Sequence, residues 1–208
     1  MKKFMMMVAM AFATLTASAQ AEVGTLTLKP LVGMNLANVT KLDGNSTKVG
    51  IAAGAELEYM LSDNFSLSAG AIYSQQGTKF DWSYEDEKAN FKLNMDYINV
   101  PILANYYVAK GFAIKAGIQA GFKANAKCKL DMDTQVMEDI VNEYINPYTK
   151  ALEDAVKGFE LSIPVGLSYE ISDFVIDARY NFGVTKVLDG DDCKNSVFQF
   201  TVGYKFAL

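Results

Sequence analysis

The sequence predicts an all-β fold, an eight-stranded up-and-down antiparallel transmembrane β-barrel with a partly helical long outer loop. Three observations carry this reading. Apolar and polar residues alternate with period two through most of residues 22–208, which puts one set on each face of a strand. The links between the alternating segments are by turns short and long. The polar faces are small and Gly-rich with balanced charges, while the apolar faces carry almost no charge.

Met1-Lys2-Lys3 is a short basic start, followed by an uncharged run from Phe4 to Ala17. Ala17-Ser18-Ala19 and Ala19-Gln20-Ala21 are both small-x-small cleavage sites. Basic, apolar, then A-x-A is the pattern of a secretory leader, and the run is shorter than the roughly 20 residues a spanning helix needs. Residues 1–21 therefore read as a signal peptide, cleaved after Ala19 or Ala21, and residues 22–208 as one barrel domain.

The expected strands are Leu26–Leu36, Val49–Leu61, Phe65–Gln76, Leu93–Val108, Phe112–Ala124, Phe159–Glu170, Phe174–Thr185 and Val197–Leu208. In Phe112–Ala124, for example, Phe112, Ile114, Ala116, Ile118, Ala120 and Phe122 oppose Lys115, Gly117, Gln119, Gly121 and Lys123. In Leu93–Val108 the parity changes. Leu93, Met95 and Tyr97 are odd, whereas Ile98, Val100, Ile102 and Ala104 are even. A bulge near Tyr97–Ile98 would shift the phase by one.

Tight turns lie between Tyr59 and Phe65, Tyr107 and Phe112, and Tyr169 and Phe174. Long links cover 40–48, 77–92, 125–158 and 186–196. Short turns on one side, with both termini, and long loops on the other give the layout of outer-membrane barrels. Aromatic residues flank each tight turn, as interfacial girdles do.

The polar faces place Lys29, Glu56, Glu58, Lys115, Lys123, Glu160, Glu170, Asp177, Arg179 and Lys205 inside, five basic and five acidic. A soluble β-sandwich or a lipocalin-like carrier would also alternate. The aromatic pairs at the turns and the paired charges favour lipid outside. Eight strands leave an interior just wide enough for side chains, so an open pore is not expected.

The 208 residues hold no histidine, which removes His-containing catalytic triads and His-ligated metal sites. The formal charge of −5 argues against nucleic acid as a partner. No enzyme activity, cofactor or metal is expected. The segment Phe80-Asp81-Trp82-Ser83-Tyr84-Glu85-Asp86-Glu87 mixes aromatics with carboxylates and is the candidate interaction loop. Within 125–158, Val136, Met137, Ile140, Val141, Tyr144 and Ile145 recur at helical spacing, as do Tyr148, Leu152, Ala155 and Val156. Asn146-Pro147 fits a helix start and Gly158 a helix end. Two short amphipathic helices are expected there, as a lid on the barrel rim or a docking element. Cys128 and Cys193 fall on the same outer side. They are the candidates for a disulfide closing about 66 residues, worth roughly 4 kcal/mol in the chain-entropy model, with two thiols as the alternative.

Several stretches, in order, resemble the small bacterial outer-membrane β-barrel family labelled "porin family" or PorT-like. They are Gly33-Met34-Asn35-Leu36-Ala37-Asn38-Val39, Ile72-Tyr73-Ser74-Gln75-Gln76-Gly77, Asp96-Tyr97-Ile98-Asn99-Val100-Pro101-Ile102-Leu103, Lys115-Ala116-Gly117-Ile118-Gln119-Ala120-Gly121, Tyr180-Asn181-Phe182-Gly183 and the closing Phe198–Phe206. The resemblance implies a bacterial outer-membrane barrel handled by the barrel-assembly machinery and surrounded by outer-membrane lipid. It implies a structural or surface-interaction role, toward an unknown surface or envelope protein, or alternatively a PorT-like accessory role in protein secretion.

Overall fold

The computed structural model describes residues 22–42, 44–84, 87–132, 146–188 and 192–208. The leader 1–21 and the first expected loop helix lie outside them. The elements are β1 (Leu26–Val39), β2 (Asn45–Ser62), β3 (Phe65–Tyr84), β4 (Glu87–Ala109), β5 (Phe112–Met132), α1 (Asn146–Ala155), β6 (Phe159–Ile171), β7 (Phe174–Gly183), β8 (Asn195–Tyr204) and the short β9 (Phe206–Ala207). Each strand from β1 to β8 pairs antiparallel with its neighbour in sequence. Because β1 pairs with β8 as well as β2, the sheet closes into an eight-stranded up-and-down barrel.

The three short hairpins close at Ser62↔Phe65, Ala109↔Phe112 and Ile171↔Phe174. Each leaves two turn residues, and Gly111 supplies the left-handed conformation (φ 73°) that one of them needs. β9 continues β8 in the same register along β1, after a gap in which Pro30 and Lys29 lie opposite Tyr204 and Lys205. Proline has no N–H to give to the ladder. On its other side the strand stays tied to β7, where the Lys205 N–H donates to Asp173 O at 2.8 Å.

Alternation becomes burial directly. Ile118 is 56% exposed on the outer face, while its neighbour Gln119 is 1% exposed inside. Val32, Met34, Ile51, Ile102, Ile163, Val165, Ile176 and Val202 are likewise large, apolar and exposed on the outside. Phe122 packs edge-on to Phe159 at one level, and Phe174 against Tyr204 at the other. Phe159 to Tyr169 is about ten residues, the length a tilted strand needs to cross a bilayer.

Two expectations require correction. The link 77–92 is not a loop: β3 and β4 stay paired from Thr78↔Leu93 to Tyr84↔Glu87, and β5 follows β4 to Ala89↔Met132. These three strands run 20, 23 and 21 residues, against 10 in β7 and 10 in β8, so one wall rises well past the other. The bulge is also on a different strand. Asp96 pairs with Asn125 and Tyr97 with Lys123, so the extra residue is Ala124 of β5. β4 keeps its parity throughout, with Leu93, Met95, Tyr97 and Asn99 all buried. Its apparent phase change comes from a change of filling, from polar residues in the barrel to apolar ones near its outer mouth. Past Ala124 the faces of β5 exchange, as a one-residue shift requires. Ala126 and Cys128 turn inward and Asn125 and Lys127 outward.

Candidate functional site

The interior is the most ordered chemistry in the molecule. In the middle, five side chains form one chain of ion pairs. Lys29 Nζ lies 2.7 Å from Glu56, Arg179 Nη1 lies 2.7 Å from Glu56, Arg179 Nε lies 2.8 Å from Asp177, and Lys115 Nζ lies 2.8 Å from Asp177. All five are essentially buried. Three cations face two anions there. Nearer the short turns, Lys205 lies 2.9 Å from Glu58 and 2.5 Å from Glu170, so one cation faces two anions. The two groups together are neutral, as burial without water demands. The Tyr107 hydroxyl is 2.6 Å from Glu58 and 2.7 Å from Glu170, and can donate to one of them at a time.

Glycine makes room for these long side chains. A Cβ on Gly166 would meet Ala178 O at 2.5 Å and Arg179 Cβ at 2.7 Å. One on Gly70 would meet Glu56 Cγ at 2.6 Å. Toward the outer mouth, Glu160 accepts from Gln76 (3.2 Å) and Asn195 (2.5 Å). Lys123 is half-buried and donates to Val156 O at 2.5 Å.

Above Glu160 the filling turns apolar. Val39, Leu93, Met95, Tyr97, Val156, Val187, Leu188 and Cys193 form a buried cluster, with Phe91, Ala126 and Cys128 packed against it. The segment after α1 and the link before β8 lie across the mouth: Val156 bridges to Leu188, and the Lys157 N–H donates to Val187 O at 2.9 Å. The second expected helix is present as α1, held to β5 by Glu153, which accepts from the Cys128 N–H at 2.7 Å. Its packing is less than the spacing implied, since Leu152 is 41% exposed and Val156, just past the helix, is the buried anchor. Cys193 belongs to this cluster and Cys128 packs against it, which places the two disulfide candidates on the same side of the outer mouth. Their burial among aliphatic groups suits small apolar side chains as well as a bridge.

The candidate interaction segment is dispersed along the raised wall. Phe80 pairs with Phe91, their rings 6.0 Å apart. Asp81, Trp82 and Tyr84 pair with Asn90, Ala89 and Glu87 in the ladder. Glu85 and Asp86 lie outside the described residues. The alternation Phe80-x-Trp82-x-Tyr84 was the strand signal in this stretch, outweighed by its carboxylates. At the outer end of the barrel, Asp192 accepts from Lys41 and Lys186, each at 2.9 Å, which holds its carboxyl down to about 2.

A closed barrel with an apolar belt outside, aromatic residues at both edges and a sealed ionic interior defines an integral outer-membrane β-barrel protein. Residues 18–189 match the family model for the outer membrane protein beta-barrel domain, and the chain belongs to that family. Among solved structures it is similar to Ail, the attachment invasion locus protein of Yersinia pestis, crystallised with the heparin analogue sucrose octasulfate. The identity is 16% over 88% of this chain and 99% of that one, with a TM-score of 0.47. It is also similar to Neisserial surface protein A, at 13% identity, 87% and 97% coverage and a TM-score of 0.48. A third is outer membrane protein W of E. coli, at 16% identity, 90% and 100% coverage and a TM-score of 0.41. No curated protein matches the sequence.

Proposed function

We propose that this protein is a closed, non-conducting outer-membrane barrel, exported by a cleaved leader over residues 1–21, that acts as a structural or surface-interaction protein through its outer end. It performs no catalysis. The observation that carries this reading is the contrast between the two ends. The short-turn end has two-residue connections, whereas the other end carries the raised β3–β4–β5 wall beside a mouth sealed by the apolar cluster. A sealed interior leaves the outer surface as the place for recognition.

The test has two parts. In planar bilayers the purified barrel should give no conductance steps. A photoactivatable crosslinker placed at Phe80 should form adducts with envelope or surface macromolecules in intact cells, and one at Lys110 should not. Stable open channels, or adducts confined to the Lys110 position, would overturn the proposal.

A further inference from the structure

We propose that the outer wall of β3, β4 and β5 holds the phosphorylated sugar headgroup of a membrane glycolipid. A cleft of about 580 Å³ opens on this wall, lined by Lys79, Lys92, Lys127, Asp96, Asn94 and Asn125 among others. These residues share the outward face of the sheet, since Lys79 pairs with Lys92, Asn94 with Lys127, and Asp96 with Asn125. The Ala124 bulge is what turns Asn125 and Lys127 outward. Without it both would point into the apolar cluster.

Position fixes the ligand as a lipid. Asp96 lies two residues beyond Ile98, and Asn125 three beyond Phe122, and both of those apolar side chains are exposed. On β3, Gln75 of the cleft donates to the Tyr73 hydroxyl at 3.3 Å, so the cleft begins at the aromatic edge of the belt. A headgroup seated here has its acyl chains directly over Ile98, Ile102 and Ile118, which are 39%, 51% and 56% exposed. A free phosphate would use only the upper half of this arrangement.

The chemistry of the lining indicates both phosphate and sugar. Lysines are point-charge partners for phosphate oxygens. Asp96 would repel phosphate, yet it is only 7% exposed. Its Oδ2 accepts from Asn125 at 3.4 Å, its charge acts on Lys48 of the same cleft, and its Oδ1 has no hydrogen-bond partner. A buried acceptor left open among cations suits a hydroxyl donor on the same ligand. Anion and hydroxyl on one amphiphile describe a phosphoglycolipid, independently of what the raised wall contacts beyond the membrane.

The test uses the full barrel in neutral detergent, with bisphosphorylated lipid A, its dephosphorylated form and inorganic phosphate as probes, and affinity read by native mass spectrometry. Bisphosphorylated lipid A should bind best. Lys79→Ala/Lys92→Ala/Lys127→Ala should weaken it by about tenfold or more, the loss of one or two charge-assisted hydrogen bonds. The equal-charge control Lys41→Ala/Lys110→Ala/Lys150→Ala should stay within about twofold. Heat-dependent gel mobility verifies that every variant is folded. Equal weakening in the control, equal binding of the dephosphorylated lipid, or displacement of the lipid by an equal concentration of inorganic phosphate would each overturn the proposal.

Discussion

Glu56 is the residue on which the middle of the interior depends. It sits between Lys29 and Arg179, and Arg179 in turn reaches Asp177, which also holds Lys115. Removing Arg179 leaves two neutral pairs in the middle, Lys29 with Glu56 and Asp177 with Lys115, and places the one excess negative charge at Glu58 and Glu170, which share Lys205 and the Tyr107 hydroxyl. Removing the charge of Glu56 leaves three buried cations facing one anion. We therefore expect Glu56→Gln to cost about 3–5 kcal/mol of stability and Arg179→Met distinctly less, because uncompensated buried charge dominates over the loss of a contact. The double variant Glu56→Gln/Lys29→Met should recover part of the loss. Urea unfolding from bilayers measures all three, and an Arg179→Met cost equal to or above that of Glu56→Gln would contradict this charge balance. Each of these ions was legible in the sequence, because every one stands at an alternating position opposite an apolar neighbour. Their partners were not legible, since the pairs join strands far apart in the chain, such as Glu56 with Arg179.

At the level of elements, the eight strands were legible because alternation is a local property. What alternation could not tell was where the inside changes from polar to apolar. Leu93, Met95 and Tyr97 look out of phase only if the interior is polar along its whole length. The apolar cluster that contradicts this is assembled from β1, β4, β5 and the links before β6 and β8. The raised wall was hidden for a related reason, as the acidic residues of 81–87 resemble a solvated loop, although Asp81 and Glu87 belong to strands β3 and β4, which stay paired beyond the belt. The belt itself is testable on one strand. Ile118→Arg puts a charge in hydrocarbon and should cost about 2–4 kcal/mol near the midplane, while Ile118→Leu should be nearly neutral. Gln119→Arg faces a filled interior, where Gln119 donates to Ser162 at 3.1 Å, and should cost about 1–3 kcal/mol by overpacking. Equal stability of Ile118→Arg and wild type in bilayers would mean that this face does not meet lipid.

Taken as a whole, the molecule is a barrel whose ladder closes on itself and whose two buried ion groups cancel each other. Both features resist detergent, because unpaired backbone groups and stranded charges are costly in an apolar medium. Unheated protein in dodecyl sulfate should therefore migrate as a compact species, and boiling should slow it to its unfolded mobility. A single position regardless of boiling would show that closure is weaker than the ladder implies. The long one-sided wall gives the whole an oblique rim, high at β3–β5 and low at β7–β8. Nothing in composition announces that asymmetry, which comes from strand lengths that only pairing defines.

The gap at Pro30 and Lys205 has a kinetic meaning. Six of the eight seams join strands linked by a turn or a modest connection, and a seventh spans the link that contains α1. The eighth, β1 with β8 and β9, closes nearly the whole domain into one ring, with the largest loop-closure entropy in the fold. On loop-closure entropy alone, it is the seam expected to form last. Its zipper runs in two stages, from Val39↔Asn195 to Leu31↔Gly203 and then across the gap to Leu28↔Phe206 and Thr27↔Ala207. A chain stopped between those stages would be a nearly complete barrel in which only the last two residue pairs, Leu28↔Phe206 and Thr27↔Ala207, stay open at the short-turn end.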